Sequence, residues 1–226
     1  MKSKIFSTNN GKLNHCASQY NLRLVAFDLP AGHTCPAANI CHSRANREGM
    51  VNGSAIQDFG SLRCYAASAE AQYKNTRDLR WRNFEASQSG DFVNMICDEI
   101  QRLGLTSIRI HSSGDFYSRE YVNKWIQIAR LNPQVTFWGY TKMLPFYNVL
   151  NAESNMFFVY SIGGLFDNRL TGKEITCTIV TDEIYPTFEA VITCEKENRS
   201  NDYEYIVIKR ESFGIRLHGT QAKKNK

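Results

Sequence analysis

The sequence predicts an α/β protein built on a parallel sheet, with additional strands at its C-terminal side, and three observations carry that prediction. Short apolar runs suited to buried strands recur at 22–27, 106–110, 135–140 and 156–162. Helix-period segments separate them through short connections, which is the pattern of right-handed βαβ units. Beyond Gly163-Gly164, the runs Ile175 to Thr181, Phe188 to Thr193 and Tyr203 to Lys209 read as strands without helices between them. No repeat or low-complexity tract divides the 226 residues, so 1–226 reads as a single α/β domain.

The elements follow in order. Residues 1–20 carry Asn, Ser and Lys without a period and are expected to form an irregular arm. Leu22, Leu24 and Ala26 alternate with Arg23, Val25 and Phe27 as a strand, which Asp28-Leu29-Pro30-Ala31-Gly32 ends. Residues 32–63 form a cysteine-bearing loop near the N-terminus, rich in Gly, Asn and Ser. Loops of that length inside compact domains tend to be functional. Cys64 to Ser87 turns helical. Asp91 opens an amphipathic helix whose stripe is Phe92, Met95, Ile96, Ile100 and Leu103, and Gly104 ends it. Thr106 to Ile110 is a buried strand that runs into His111-Ser112-Ser113-Gly114-Asp115. Ser118 caps the next helix, with Tyr121, Trp125, Ile128 and Ala129 on its apolar face, and Asn132-Pro133 stops it. Val135 to Tyr140 and Met156 to Ile162 are the following strands.

Composition narrows the classes of function. The apolar fraction is that of a globular protein, and no run of eighteen apolar residues could form a membrane-spanning helix. The basic N-terminus lacks the apolar stretch of a secretory signal, so the cytoplasm is the expected location. Seven cysteines in a reducing compartment are then core residues, metal ligands or nucleophiles. The net charge of +5 is unevenly spread: Lys74, Arg77, Arg80 and Arg82 crowd one segment, with Trp81 among them. A face made by Lys74, Arg77 and Arg80 would suit nucleic acid through charge and stacking.

Three constellations carry chemistry. Cys35, Cys41 and Cys64 lie in a polar segment, and Cys64 opens a helix, a position that favours thiolate. Three thiolates leave one coordination position open, which suits an iron–sulfur cluster, or zinc completed by His33 or His42. Cys16, Cys97, Cys177 and Cys194 read as structural. The second constellation is Ser113, Gly114 and Asp115 after a strand, where parallel α/β folds bind ligands. There Gly114 would admit a ligand to the backbone and Asp115 would hold an amine or a ribose hydroxyl. The third lies at the ends of the next two strands: Tyr140 and Lys142, then Ser161, aimed at the same rim.

The blocks Leu29 to Pro36, Cys41-His42-Ser43, Arg63 to Ser68, Arg80 to Phe84, His111 to Phe116, Tyr140-Thr141-Lys142 and Phe213 to Gly219 together resemble the gene product 88 family of phages and mobile elements. A wider resemblance is to radical S-adenosylmethionine enzymes, which place a cysteine loop after the first strand. It implies a partial parallel βα-barrel in which Cys35, Cys41 and Cys64 ligate a 4Fe-4S cluster. It further implies that Ser113, Gly114, Asp115, Tyr140 and Ser161 bind S-adenosylmethionine, with Asp115 and Lys142 in catalysis. The spacing differs from that family's, with five residues between Cys35 and Cys41 and twenty-two between Cys41 and Cys64. The competing expectation is a non-catalytic protein, stabilised by zinc, that binds nucleic acid or a host protein. Neither reading fixes a substrate or an oligomeric state.

Overall fold

Alternation along the strands sets the architecture: Val25 and Phe27 point to one side of their strand, Leu24 and Ala26 to the other. The computed structural model describes residues 4–8, 11–41, 43–52, 64–180, 191–192 and 202–216. Its helices are α1 (Gly11–Gln19), α2 (Tyr65–Gln72), α3 (Lys74–Gln88), α4 (Phe92–Leu103), α5 (Arg119–Leu131) and α6 (Leu144–Leu150). Its strands are β1 (Leu24–Phe27), β2 (Arg44–Ala45), β3 (Val51–Asn52), β4 (Ser107–Ile110), β5 (Thr136–Thr141), β6 (Met156–Ser161), β7 (Thr176–Val180), β8 (Val191–Ile192) and β9 (Phe213–Arg216).

Seven strands form one sheet in the order β1-β4-β5-β6-β7-β9-β8, and every pairing in it is parallel. From β1 to β6 each new strand adds on the same side of the last. Right-handed crossovers therefore place α4, α5 and α6 on a single face. There Phe92, Ile96, Tyr121, Trp125 and Phe146 pack on Phe27, Ile108, Ile110, Phe137 and Phe158. The opposite face is covered by Leu13 and Cys16 of α1 and by Tyr203 and Ile206, against Ala26, Trp138, Val159 and Phe213. Among the described residues β1 and β8 are sheet edges, so the sheet is open.

The expected parallel α/β core is present, and the run at 175–181 joins its sheet as β7. Of the run Phe188 to Thr193 only Val191–Ile192 is described, as β8, and Cys194 lies outside the described residues. Three local expectations are corrected. The supposed arm contains α1, whose apolar stripe is only Leu13 and Cys16, too thin for the period to register. Cys64 to Ser87 is two helices, broken where Tyr73 takes an extended backbone (φ −117°, ψ 101°). Tyr203 to Lys209 is not a strand: Glu204–Lys209 is a π-helix whose β-branched Ile206, Val207 and Ile208 mimic one. Tyr203 and Ile206, three apart, reach the same core, and that packing overrides propensity.

Candidate functional site

The chemistry-bearing residues meet at the carboxyl edge of the sheet because two strand-end loops are stitched together there. Leu29 N–H donates to Ser113 O at 2.9 Å, and Asp115 N–H to Thr34 O at 3.0 Å. Asp28 Oδ1 accepts from Ser112 and Ser113 N–H at 2.7 and 3.2 Å. The cysteine loop continues across the edge to the end of β6. Asn39 and Ile40 N–H both donate to Gly163 O at 3.3 Å, and Leu165 N–H donates to Ala37 O at 2.9 Å. Asp167 fixes the receiving turn through Gly163 N–H at 2.8 Å and Gly164 N–H at 3.0 Å.

This seating brings the three cysteines together. Cys64 precedes α2 and its N–H donates to Ser43 Oγ at 3.4 Å. Its thiol is drawn down to about 7, first by a hydrogen bond from Cys41 and then, against burial, by the N–H groups of Ala66 and Ala67. Cys41 is pushed well up in return, because it holds the shared proton and is largely buried. Cys35 takes a hydrogen bond from Gly32 N–H at 3.4 Å. Burial, and then the Asp115 charge, raise it to about 12, and Cys64 acts on it in the same direction. Each thiol thus lies within electrostatic reach of the other two. Among the described residues, however, no group of three or more His, Cys, Asp or Glu side chains is spread as a ready metal site.

The donor chemistry fits a thiolate-bound metal or iron–sulfur cluster, with three soft ligands and a helix N-terminus stabilising one of them. His33 Nε2 lies 3.0 Å from Ala45 O and the ring packs on Trp81, centroids 4.8 Å apart. His42 lies outside the described residues.

The residues expected to receive S-adenosylmethionine do not fit that role. Asp115 is buried, with Oδ1 accepting from Phe116 N–H at 2.7 Å and Thr141 Oγ1 at 2.8 Å, and Oδ2 from Lys142 N–H at 2.8 Å. Its carboxylate splices the strand ends together. Ser113 Oγ donates to Leu29 O at 2.8 Å. Gly114 (φ +86°) has no open space beside it, since a Cβ there would lie 2.6 Å from Leu29 Cβ and 2.7 Å from Thr34 Oγ1. Tyr140 points to the opposite face, its ring 5.3 Å from the Arg109 guanidinium carbon and 6.3 Å from the Phe213 ring. Lys142 and Ser161 do meet: Nζ donates to Ser161 O at 2.9 Å, Ser161 Oγ at 3.1 Å and Ile162 O at 2.7 Å. Burial lowers the Lys142 ammonium, and Cys41 and Asp115 oppose that shift. It is the cation beside the thiols.

The basic face does not form as expected. Arg77 and Arg80 are 7% and 6% exposed. Arg77 donates to Glu70 O at 2.6 Å and Arg47 O at 2.8 Å. Arg80 donates to Ala66 O at 3.0 Å and pairs with Glu70 at 2.7 Å. Lys74 is at the surface, paired with Asp78, and Arg82 is exposed as well. The buried pair has a purpose that sequence reading missed. Glu70 Oε1 also accepts from Ala31 N–H at 2.9 Å and Ser113 Oγ at 3.3 Å, which locks the Cys64 helix to both strand-end loops. The one available signal was a lone acid in the Ala-rich segment 65–72.

Fold and edge together define an α/β protein whose parallel sheet carries a cysteine cluster at its carboxyl end. The gene product 88 family model matches residues 3–224, and the chain belongs to that family. It is 28% identical over 129 residues to the Gene 88 protein of Mycobacterium phage L5, covering 49% of this chain and 53% of that relative. It is 26% identical over 149 residues to the Gene 88 protein of Mycobacterium phage D29, covering 57% and 61%. The chain thus spans between about half and three fifths of the curated relatives it matches. No solved structure matches. Among the described residues no helix is long and apolar enough to cross a membrane.

Proposed function

We propose that this phage-family protein holds a 4Fe-4S cluster through Cys35, Cys41 and Cys64 at the carboxyl edge of its sheet. The observation that carries the reading is convergence: Cys41 and Cys64, with twenty-two residues between them in the chain, act on each other, and Cys64 N–H is held by Ser43, two residues from Cys41. Lys142 supports it by setting a buried ammonium against Cys41, which offsets the negative charge of thiolate ligands. A bound cluster would supply one-electron chemistry. No step through S-adenosylmethionine is proposed, since Asp115 and Gly114 are occupied by the fold.

A second reading is a zinc-stabilised scaffold that presents its surface to a host protein. It is favoured by one observation: Asp115 and Lys142 already have their hydrogen bonds filled, which leaves the rim short of a free acid or base. Anaerobic purification with iron, sulfide and zinc analysis and an absorbance spectrum separates the two. Cysteine-to-serine changes at 35, 41 and 64 should each lower the bound metal sharply, and Cys97→Ser should not. Single variants that keep a full complement of metal would refute both readings.

A further inference from the structure

We propose that Arg47, Trp81 and Glu85 are a clasp that positions Cys41 and Cys64 by docking the hairpin that lies between them in the chain. The purpose of the clasp rests on the metal reading; its geometry does not. The hairpin is β2–β3, paired antiparallel through Arg44 with Asn52 and Ala45 with Val51. Its turn is shaped from within, since Asn46 Oδ1 accepts from Glu48 N–H at 3.1 Å and Met50 N–H at 2.8 Å. It therefore docks as one piece, and where it docks sets where the flanking cysteines come to rest. One root is tied at the site itself: Ser43, next to β2, is buried, and its Oγ accepts from Cys64 N–H at 3.4 Å.

The docking is made on α3, which carries no cysteine. Arg47, in the turn, lays its guanidinium over the Trp81 ring, 4.3 Å from the centroid, and pairs with Glu85 at 2.6 Å. The Arg47 carbonyl accepts from Arg77 Nε at 2.8 Å. Gly49 (φ +91°) makes room for that arginine, since a Cβ there would lie 2.7 Å from Arg77 Nη1. Trp81 also receives the ring of His33, two residues before Cys35, so one tryptophan gathers the hairpin and the Cys35 loop on one helix. The Arg47 and Glu85 side chains are each 55% exposed, and a cleft of about 260 Å³ lined by Arg47, Asp78, Trp81, Arg82 and Glu85 opens beside them. Water reaches the clasp, so it can let go without opening the apolar core. An undocked hairpin would leave Cys41 and Cys64 at the ends of a free twenty-two-residue loop, whose closure entropy the clasp removes before any metal arrives. None of the three residues supplies a ligand atom, so their role is positioning.

The full chain is freed of metal by a chelator under reductant, and the alkylation rate of each cysteine is followed by mass spectrometry. In Arg47→Ala, Cys41 and Cys64 should alkylate about threefold faster or more, as expected when an exposed cation–π contact and an exposed ion pair are lost together. Cys97 on α4 and Cys177 on β7 should keep their wild-type rates. Arg47→Lys keeps the charge for Glu85 but not the planar stack on Trp81, and should fall between. Glu85→Gln breaks the pair from the helix side, should show the same selectivity, and decides alone should the Arg47 variants not fold. Zinc loaded into these proteins should pass to a competing chelator faster in Arg47→Ala, by a similar factor. Unchanged rates at Cys41 and Cys64 would overturn the proposal, and so would a rise shared by Cys97 and Cys177, which marks general loosening. Protein that takes up neither zinc nor iron but shows the selective rise defeats the metal reading and leaves the clasp intact. Protein that loads metal without the selective rise does the reverse.

Discussion

Asp115 and Lys142 are joined through the backbone, not as an ion pair: the carboxylate Oδ2 accepts the Lys142 N–H at 2.8 Å, while the ammonium reaches Ser161 and Ile162. The acid therefore splices the end of β4 to the end of β5, and the base ties β5 to β6.

Asp115→Ala should then act on stability. It leaves two backbone N–H groups and the Thr141 hydroxyl without their acceptor. Each such loss costs about 1–3 kcal/mol, so a total of roughly 3 kcal/mol or more is expected in urea denaturation. An unchanged midpoint would mean that the carboxylate is free for a ligand after all.

Gly114→Ala forces a Cβ into Leu29 and Thr34 at φ +86°. Left-handed strain of about 1–2 kcal/mol and overpacking of about 1–3 kcal/mol add. The clash falls on the loop that carries Cys35, so the thiol at Cys35 should also alkylate faster than in the wild type. Wild-type stability together with wild-type alkylation would show that the loop yields freely.

Breaking the buried pair should cost more than deleting it. Glu70→Ala strands the Arg80 guanidinium, and Arg80→Ala strands the Glu70 carboxylate, at about 3–5 kcal/mol each. The double replacement Glu70→Leu with Arg80→Leu should be less destabilised than the sum of the two single leucine variants. Simple additivity in the denaturation midpoints would mean that the pair is not coupled.

His111 predicts a pH dependence. Its ring is buried, and burial holds its pKa near 3 against an ordinary 6.5. Between those values the unfolded chain binds a proton that the native state refuses, so stability falls as pH drops through this window and levels off below it. The slope is about 1.4 kcal/mol per pH unit, with a ceiling of roughly 5 kcal/mol in all. His111→Asn tolerates the left-handed backbone at φ +67° and should lose this slope, though it is less stable at pH 8. Parallel stability–pH profiles for the two proteins would count against the assignment.

The strands β4, β5 and β6 and the helices α4 and α5 were legible because their apolar periods are strong and their caps explicit. Ser118 does accept from Tyr121 N–H and Gly104 does adopt the left-handed cap, whereas Asp91, expected to cap α4, makes no side-chain cap hydrogen bond. That Asp115, Lys142, Ser161 and the cysteines share one edge followed from topology alone. What each of them does there was not legible. The partners of Asp115 are mostly backbone N–H groups, which have no signature in a sequence, and the burial of Arg77 and Arg80 depends on a single glutamate from another helix. Charge spacing cannot distinguish a solvated row from one folded inward.

The hydrogen bonds from residues 37–40 to residues 163–165 also fix an order of events. The cysteine loop is made before its landing site, which follows β6, so closure over the sheet edge waits until β6 has been made. Contacts so distant in sequence form late, since the loop entropy must be overcome first. Until then Cys35 and Cys41 trail from a nascent chain as open thiols, exposed to any metal or oxidant, and Cys64 gains their company only when the edge is complete. Synthesis rate and the surrounding thiol poise would thus bear on how much of the protein brings its cysteines together correctly.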